Sequence, residues 1–496
     1  MEKFRKHKPF ACDSRFARRR KTGESTIQQH MRPPLKFFVS SCLILLSVLS
    51  SRGQAPKAGE GFTPQDGDTI VFLGDSITHQ CMYTQYVEDF FLTRYPDRHI
   101  HFHNAGVSGD KAADAKRRFE DDVAALHPKF VTVLLGMNDG QYKDFTPEIL
   151  ATYQQDMTAL LESVKASGAK AIVMTPTPFD HHQLEARMKD PTFRFKDRPF
   201  SPQYNSVLGF FSGWLRETAG QRALPCVDLW GPLNDVMFSE RRSNPDFTLI
   251  PDAIHPGEAG QFMMAFNLLS QFNPDRKSVG SITIAKGGEK WTAASNGKVT
   301  ELKELAEGKG ISFKHLATAL PWVVPDAASA DALKWESNNP AAFGKSLTHA
   351  GHRLGGEVLK ISGLAAGQYE ILIDGKPAGK PVPHTVLAAK VELQDNAATP
   401  EYAQAMEVAL LNRERNDKAV RPLRDAWSKI KSLRNQLGNA KGDDQARIQS
   451  EITAKIASTK ELLSLGAEYE ARLHKLAQPV VRTYEVRLSP PAAQKK

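Results

Sequence analysis

The sequence predicts an α/β protein: a three-layer α/β/α domain on a parallel sheet, then a small β-rich region and a C-terminal helical hairpin. Three observations predict it. From about residue 66 to 272, short apolar runs alternate with helical stretches, the pattern of a parallel sheet wrapped by helices. After Asn273-Pro274-Asp275 the texture changes to alternating, glycine-punctuated segments. From Pro400 to about Leu476 the chain is charged and helical. These changes divide the 496 residues into a leader at 1–53, an α/β domain at 64–275, a β-rich region at 280–395, a helical hairpin at 400–478 and a closing strand and tail at 479–496. A chain this long exceeds the roughly 250 to 300 residues that a single core usually serves.

The strand candidates of the α/β domain are Thr69 to Leu73, Ile100 to Asn104, Phe130 to Leu135, Ala171 to Thr175 and Pro225 to Leu229. Each is short and nearly all apolar, as strands covered on both faces are. Tyr153, Met157, Leu160, Leu161 and Val164 recur at helical spacing, and Gly168 follows as a cap. Tyr204, Phe211 and Trp214 also fit helical core spacing, so they are assigned to the core and not, with Phe210, to an acyl pocket. In the β-rich region, Ser281 to Ala285, Val358 to Ile361 and Tyr369 to Ile373 read as strands, with Asp374-Gly375 as a turn. The helical stretch breaks at Gly438 to Asp443, which makes it a hairpin whose charges form a solvated face. Arg482 to Leu488 reads as a returning strand.

The formal net charge of +9 invites a nucleic-acid reading, but the charge is local. Residues 1–53 hold 12 Lys and Arg against 3 Asp and Glu, which accounts for all of it and leaves the rest neutral. That basic stretch precedes the apolar run Phe37 to Leu49, with small residues (Ser51, Gly53) ahead of Gln54, the layout of a cleaved signal peptide. The run is too short for the roughly 20 residues that span a bilayer. The expectation is a secreted or periplasmic protein with no stable membrane insertion after cleavage and no nucleic-acid partner. Met31 would open a more usual signal peptide. Past the leader only Cys81 and Cys226 remain, too few for a disulfide framework, and they are expected as free, buried thiols.

The first strand candidate runs straight into Gly74-Asp75-Ser76-Ile77, which sets a hydroxyl at the carboxyl end of the strand, where open α/β sheets bind ligands. Taken alone, Asp75-Ser76 reads equally as a helix cap. The segment lacks the G-x-S-x-G pattern of a nucleophile elbow. The second strand ends in Asn104-Ala105-Gly106-Val107-Ser108-Gly109-Asp110, whose glycines let backbone N–H groups face a ligand. The third ends in Gly136-Met137-Asn138-Asp139, a carboxamide at the same edge. Asp252-Ala253-Ile254-His255-Pro256 brings a carboxylate and an imidazole within one tight turn before a helix.

In this order, the four segments closely resemble the four signature blocks of the SGNH (GDSL-type) hydrolases, over about residues 66–272. Ile77 stands where that family most often has Leu. The resemblance implies a flavodoxin-like fold and a serine esterase that needs no cofactor. It implies Ser76 as nucleophile, His255 as general base, Asp252 as the residue that orients His255, and the Ser76 and Gly109 amides with the Asn138 side chain as oxyanion donors. Asp75 and Asn104 are implied as supports of the loop around Ser76. A serine hydroxyl needs such a base, because it attacks poorly until its proton is removed.

The expected substrate is a small-molecule or polysaccharide ester, foremost an O-acetyl group on a carbohydrate. A lipase, thioesterase or O-acyltransferase of the same fold, and a non-catalytic glycan-binding scaffold, are the alternatives. His181, His182 and Glu185 could be drawn as a metal site, but Asp180 to Phe200 reads as a polar loop and no metal is assigned. His99, His101 and His103 share one strand face and are assigned to the surface or to packing.

Overall fold

The computed structural model describes residues 63–193, 197–271, 279–305, 308–326 and 354–490. The leader expected at 1–53 and the boundary at 273–275 lie outside them.

Five parallel strands form the central sheet: β1 (Thr69–Gly74), β2 (His101–Gly106), β3 (Phe130–Leu134), β4 (Lys170–Met174) and β5 (Cys226–Val227), in the spatial order β2-β1-β3-β4-β5. This is the flavodoxin-like order, with its switch between β1 and β3. β1 and β3 are buried on both faces, which is why they read as continuous apolar runs. β5 is shorter than expected. After Val227 the chain turns away, as Leu229 and Trp230 donate their amides to the Thr175 hydroxyl and Gly231 donates to Asp228.

The helices of this layer are α1 (Ser76–His79), α2 (Met82–Arg94), α3 (Ala112–Asp122), α4 (Pro147–Ala166), α5 (His181–Arg187), α6 (Tyr204–Gln221), α7 (Trp230–Glu240) and α8 (Glu258–Gln271). In α4, Thr146 caps the first turn, Tyr153, Met157, Leu160, Leu161 and Val164 are its buried face, and Gly168 takes φ +82° just past the end. Tyr204 and Phe211 are buried in the core; Phe211 stacks on Tyr153 at 4.1 Å and Trp214 meets the same ring edge-on. Phe210 is exposed beside Phe145. The segment read as a polar loop from Asp180 contains α5. The Asp180 side chain accepts from the Gln183 amide at its start, and Leu184 is buried beneath it.

Beyond residue 279 two sheets share one apolar core. The first orders β14 (Val391–Glu392), β10 (Val358–Ser362), β6 (Ile282–Gly287) and β7 (Lys290–Ser295). The second orders β12 (Lys376–Pro377), β11 (Gln368–Ile373), β15 (Arg482–Leu488), β9 (Gly310–Leu316) and β8 (Lys298–Glu304), with β13 (Val382–Pro383) also on β11. Every second residue points inward, among them Ile282 and Ile284, Leu359 and Ile361, Ile311 and Phe313, Tyr484 and Val486. The runs at Val358 and Tyr369 lie in different sheets, and the Asp374-Gly375 turn, with both residues at positive φ, joins β11 to β12. The short helix α9 (His384–Ala389) lies between β13 and β14, and between β14 and β15 the chain makes the hairpin.

The hairpin consists of α10 (Pro400–Arg415), a π turn (Asn416–Val420), α11 (Arg421–Leu437) and the 34-residue α12 (Asp443–Leu476). Its charges are not all a solvated face. Arg424 clasps Asp122 through two 2.8 Å bonds, and Arg415 Nη1 donates to Glu88 at 2.8 Å, with all four side chains buried. Asn412 donates to Asp89 and Glu88, and Asn416 to Gln85. The outer face of α2 is therefore polar in sequence yet buried, because the hairpin lies over it.

Candidate active site

The carboxyl edge of the central sheet gathers the residues singled out in the sequence. Asp75 caps α1 by accepting from the Ile77 amide at 2.9 Å, and Ser76 is the first residue of that helix. The cap leaves Ser76 free of that role: its hydroxyl points away from the cap to His255 Nε2 at 2.8 Å. On the other side of the ring, Nδ1 lies 2.8 Å from Asp252 Oδ2. Asp252 Oδ1 also accepts the Ile254 and His255 amides, in a tight turn that puts Ala253 at φ +74°. Burial works against the Asp252 charge, but these hydrogen bonds hold its carboxyl below the usual range. The result is a charged acceptor that fixes the ring's orientation.

The loop after β2 is built to pass close beneath α1. A Cβ at Gly106 would sit 2.3 Å from the His79 amide nitrogen, so only glycine fits. Asn104 ties the same crossing together, donating to the Thr78 carbonyl at 2.7 Å and accepting the Gly106 amide at 2.8 Å. Gly109 takes φ +73°, a left-handed turn, where a Cβ would meet only the Lys431 ammonium, at 3.9 Å. Its neighbour Asp110 is fully buried, held by Arg118 Nε at 2.8 Å and by Lys431 of α11 at 2.8 Å. Asn138 donates from its amide to the Asp110 carbonyl at 3.0 Å and to Asp75 at 3.4 Å, while Tyr142 donates to its oxygen. Burial pushes the Asp75 carboxyl up to about 6 and that of Asp139 to about 7.

A cleft of about 690 Å³ opens over Ser76 and His255. Met82, Ser108, Thr192 and Phe193 line it, as do His79, Gln80, Arg187 of α5 and Arg421 of α11. The sequence reading missed Arg187, because α5 looked like loop. It also missed Arg421 and Lys431, which sit in an evenly charged stretch with no local signal. His181 pairs with Glu185 across one turn of α5 at 3.3 Å. Among the described residues no three His, Cys, Asp or Glu side chains group to hold a metal ion. His101 faces the hairpin, 2.9 Å from Glu470, and His99 packs on His474. Cys81 and Cys226 are free; Cys81 is buried and Cys226 only partly so.

Residues 72–261 match the model of the GDSL-like lipase/acylhydrolase family. They form a GDSL-like acylhydrolase domain. This acylhydrolase is an ester-hydrolysing enzyme of the SGNH type. It is 28% identical over 221 residues to an acetylxylan esterase of Geobacillus stearothermophilus, covering 40% of this chain and 91% of that one. An uncharacterized lipoprotein of Bacillus subtilis is 26% identical over 141 residues, 26% of this chain and 54% of the relative. The solved structure of a gut microbial diltiazem-metabolizing enzyme superposes on the acylhydrolase with a TM-score of 0.67, over 86% of this chain and 99% of the other. At 22% identity that likeness is one of fold, and it extends well beyond the catalytic layer into the β-rich and helical parts.

Proposed function

We propose that the protein is an exported serine esterase that removes short acyl groups, acetyl above all, from carbohydrates. The reading rests on the relay of two 2.8 Å contacts from the Ser76 hydroxyl through His255 to Asp252. His255 Nε2 takes the hydroxyl proton as Ser76 Oγ attacks the ester carbonyl, and Asp252 steadies the imidazolium. The oxyanion gathers the Ser76 and Gly109 amides and one N–H of Asn138. Collapse expels the alcohol, which leaves with the proton from His255. Water then repeats the sequence on the acyl-enzyme and frees the acid and Ser76.

The similarity to an acetylxylan esterase supports acetyl as the acyl group and a sugar as the alcohol. The basic and apolar leader of residues 1–53, and the likeness to a lipoprotein, support export. No helix among the described residues is long and apolar enough to cross a membrane. The test compares kcat/KM for acetyl, butyryl and longer acyl esters, then measures acetate release from acetylated polysaccharides. Short-chain preference with acetate release is expected, and Ser76→Ala should abolish both while keeping the fold. Preference for long chains with no acetate from any glycan would overturn the carbohydrate reading in favour of a lipase. Near-normal turnover in a folded Ser76→Ala protein would overturn the mechanism.

A further inference from the structure

We propose that Arg187 and Arg421 form an anion subsite in the cleft beside Ser76, so that the preferred ester is carried on an acidic sugar unit. Two separate elements deliver these cations, α5 from the catalytic layer and α11 from the hairpin, and both line the cleft. The other ionisable lining groups are His79 and the Asp252–His255 pair, whose carboxylate is already committed to the ring. Among the side chains that line the cleft two guanidiniums thus stand against one carboxylate, with Asp190 and Asp417 paired to the arginines and Asp425 to His79. A recess lined by one sign of charge raises the local concentration of the opposite sign.

The bland reading is that each arginine makes an ordinary helix-surface pair. Arg187 does lie 3.4 Å from Asp190 and Arg421 2.5 Å from Asp417, three and four residues away along the chain. Such part-exposed local pairs contribute only about 0.3 to 0.5 kcal/mol, too little to hold a guanidinium against a better ligand. They also leave donors over. Arg187 Nε is buried with no hydrogen-bond partner, and its guanidinium lies over the Phe193 ring at 5.6 Å. Arg421 Nη2 reaches only a neutral acceptor, the Gln80 carbonyl at 3.1 Å. A planar guanidinium fork matches a carboxylate or sulfate through paired hydrogen bonds, which a neutral sugar hydroxyl cannot reproduce. At about 690 Å³ the cleft also falls within the 300 to 1,000 Å³ range of small-molecule sites.

This inference rests on the ester-hydrolase reading for its turnover data and is tested by binding as well, so that the two can fail separately. The full chain is given an O-acetylated glucuronate glycoside, the methyl ester of its carboxylate, and an O-acetylated sugar sulfate. The free acid should exceed its methyl ester in kcat/KM by about tenfold or more at low salt, and the gap should narrow as salt rises. In the Arg187→Gln/Arg421→Gln protein the ratio between acid and methyl ester should collapse toward one. Of the two anions, the one with the larger advantage names the natural group. Independently of turnover, the Ser76→Ala protein should bind the glucuronate glycoside more tightly than its methyl ester in calorimetry. Equal binding of the two, or a preference that survives the double substitution, would overturn the subsite. Absence of hydrolysis on all three esters together with preferential binding of the acid would instead overturn the carbohydrate-deacetylase reading alone.

Discussion

At Asn138 the side-chain amide serves two acceptors, the Asp110 carbonyl and, at a long 3.4 Å, Asp75. The longer contact is the one a developing oxyanion can replace. Asn138→Ala should therefore lower kcat by about 10²- to 10³-fold and raise KM far less, read from steady-state kinetics; a change confined to KM would make Asn138 a substrate-binding residue. Asp139 offers a second prediction. One oxygen accepts the Ala112 amide, the other is buried without a hydrogen bond, and burial pushes its carboxyl up from 3.8 to about 7. Between those values the folded state holds a proton that the unfolded state has lost, so stability falls as pH rises through the window. Urea unfolding at pH 5 and pH 8 should show the wild type losing stability, by up to about 2.6 kcal/mol from this group, and Asp139→Asn losing less. Asp75, pushed up to about 6 and buried, acts in the same direction.

The hairpin carries the element-scale argument, because its contacts reach the loop that holds Gly109. Lys431 of α11 donates to Asp110 at 2.8 Å and to the Ser108 carbonyl at 3.5 Å, so it grips the residues on either side of Gly109. Lys431→Met should lower kcat with little change in KM, and Lys431→Arg should restore much of it; equal loss in both, or loss only in KM, would separate this from a positioning role. Arg424 has a structural task, a two-pronged clasp on the buried Asp122. Arg424→Met leaves that carboxylate with Arg118 alone and should destabilise by about 3 kcal/mol in urea unfolding. None of this could be read from the helical sequence. A buried arginine and an exposed one look alike there, and the partner that decides between them lies 302 residues away. The covered side of α11 carries Trp427, Ile430 and Leu433, three residues apart, which join Val107 of the catalytic layer in one apolar cluster.

Across the whole molecule, the last strand closes a sheet that the chain began long before. β15 lies between β9 and β11, with Tyr484 and Val486 at the centre of the shared core. A chain ending before Arg482 should lose cooperative unfolding of the β-rich part and aggregate, measured by light scattering and thermal unfolding; a monomeric, cooperatively folding product would show β15 to be dispensable. The sequence by itself determined the alternation of buried strands and helices, the glycines at close crossings, and the four chemistry-bearing turns. Each of these depends on residues near one another in the chain: a period, a cap, or a carboxylate three residues from an imidazole. The tertiary structure alone decided which strands pair across the two β sheets, that α5 and α11 wall the cleft, and that hairpin charges are buried. Those outcomes depend on desolvation and on partners hundreds of residues apart, and local composition carries no record of either.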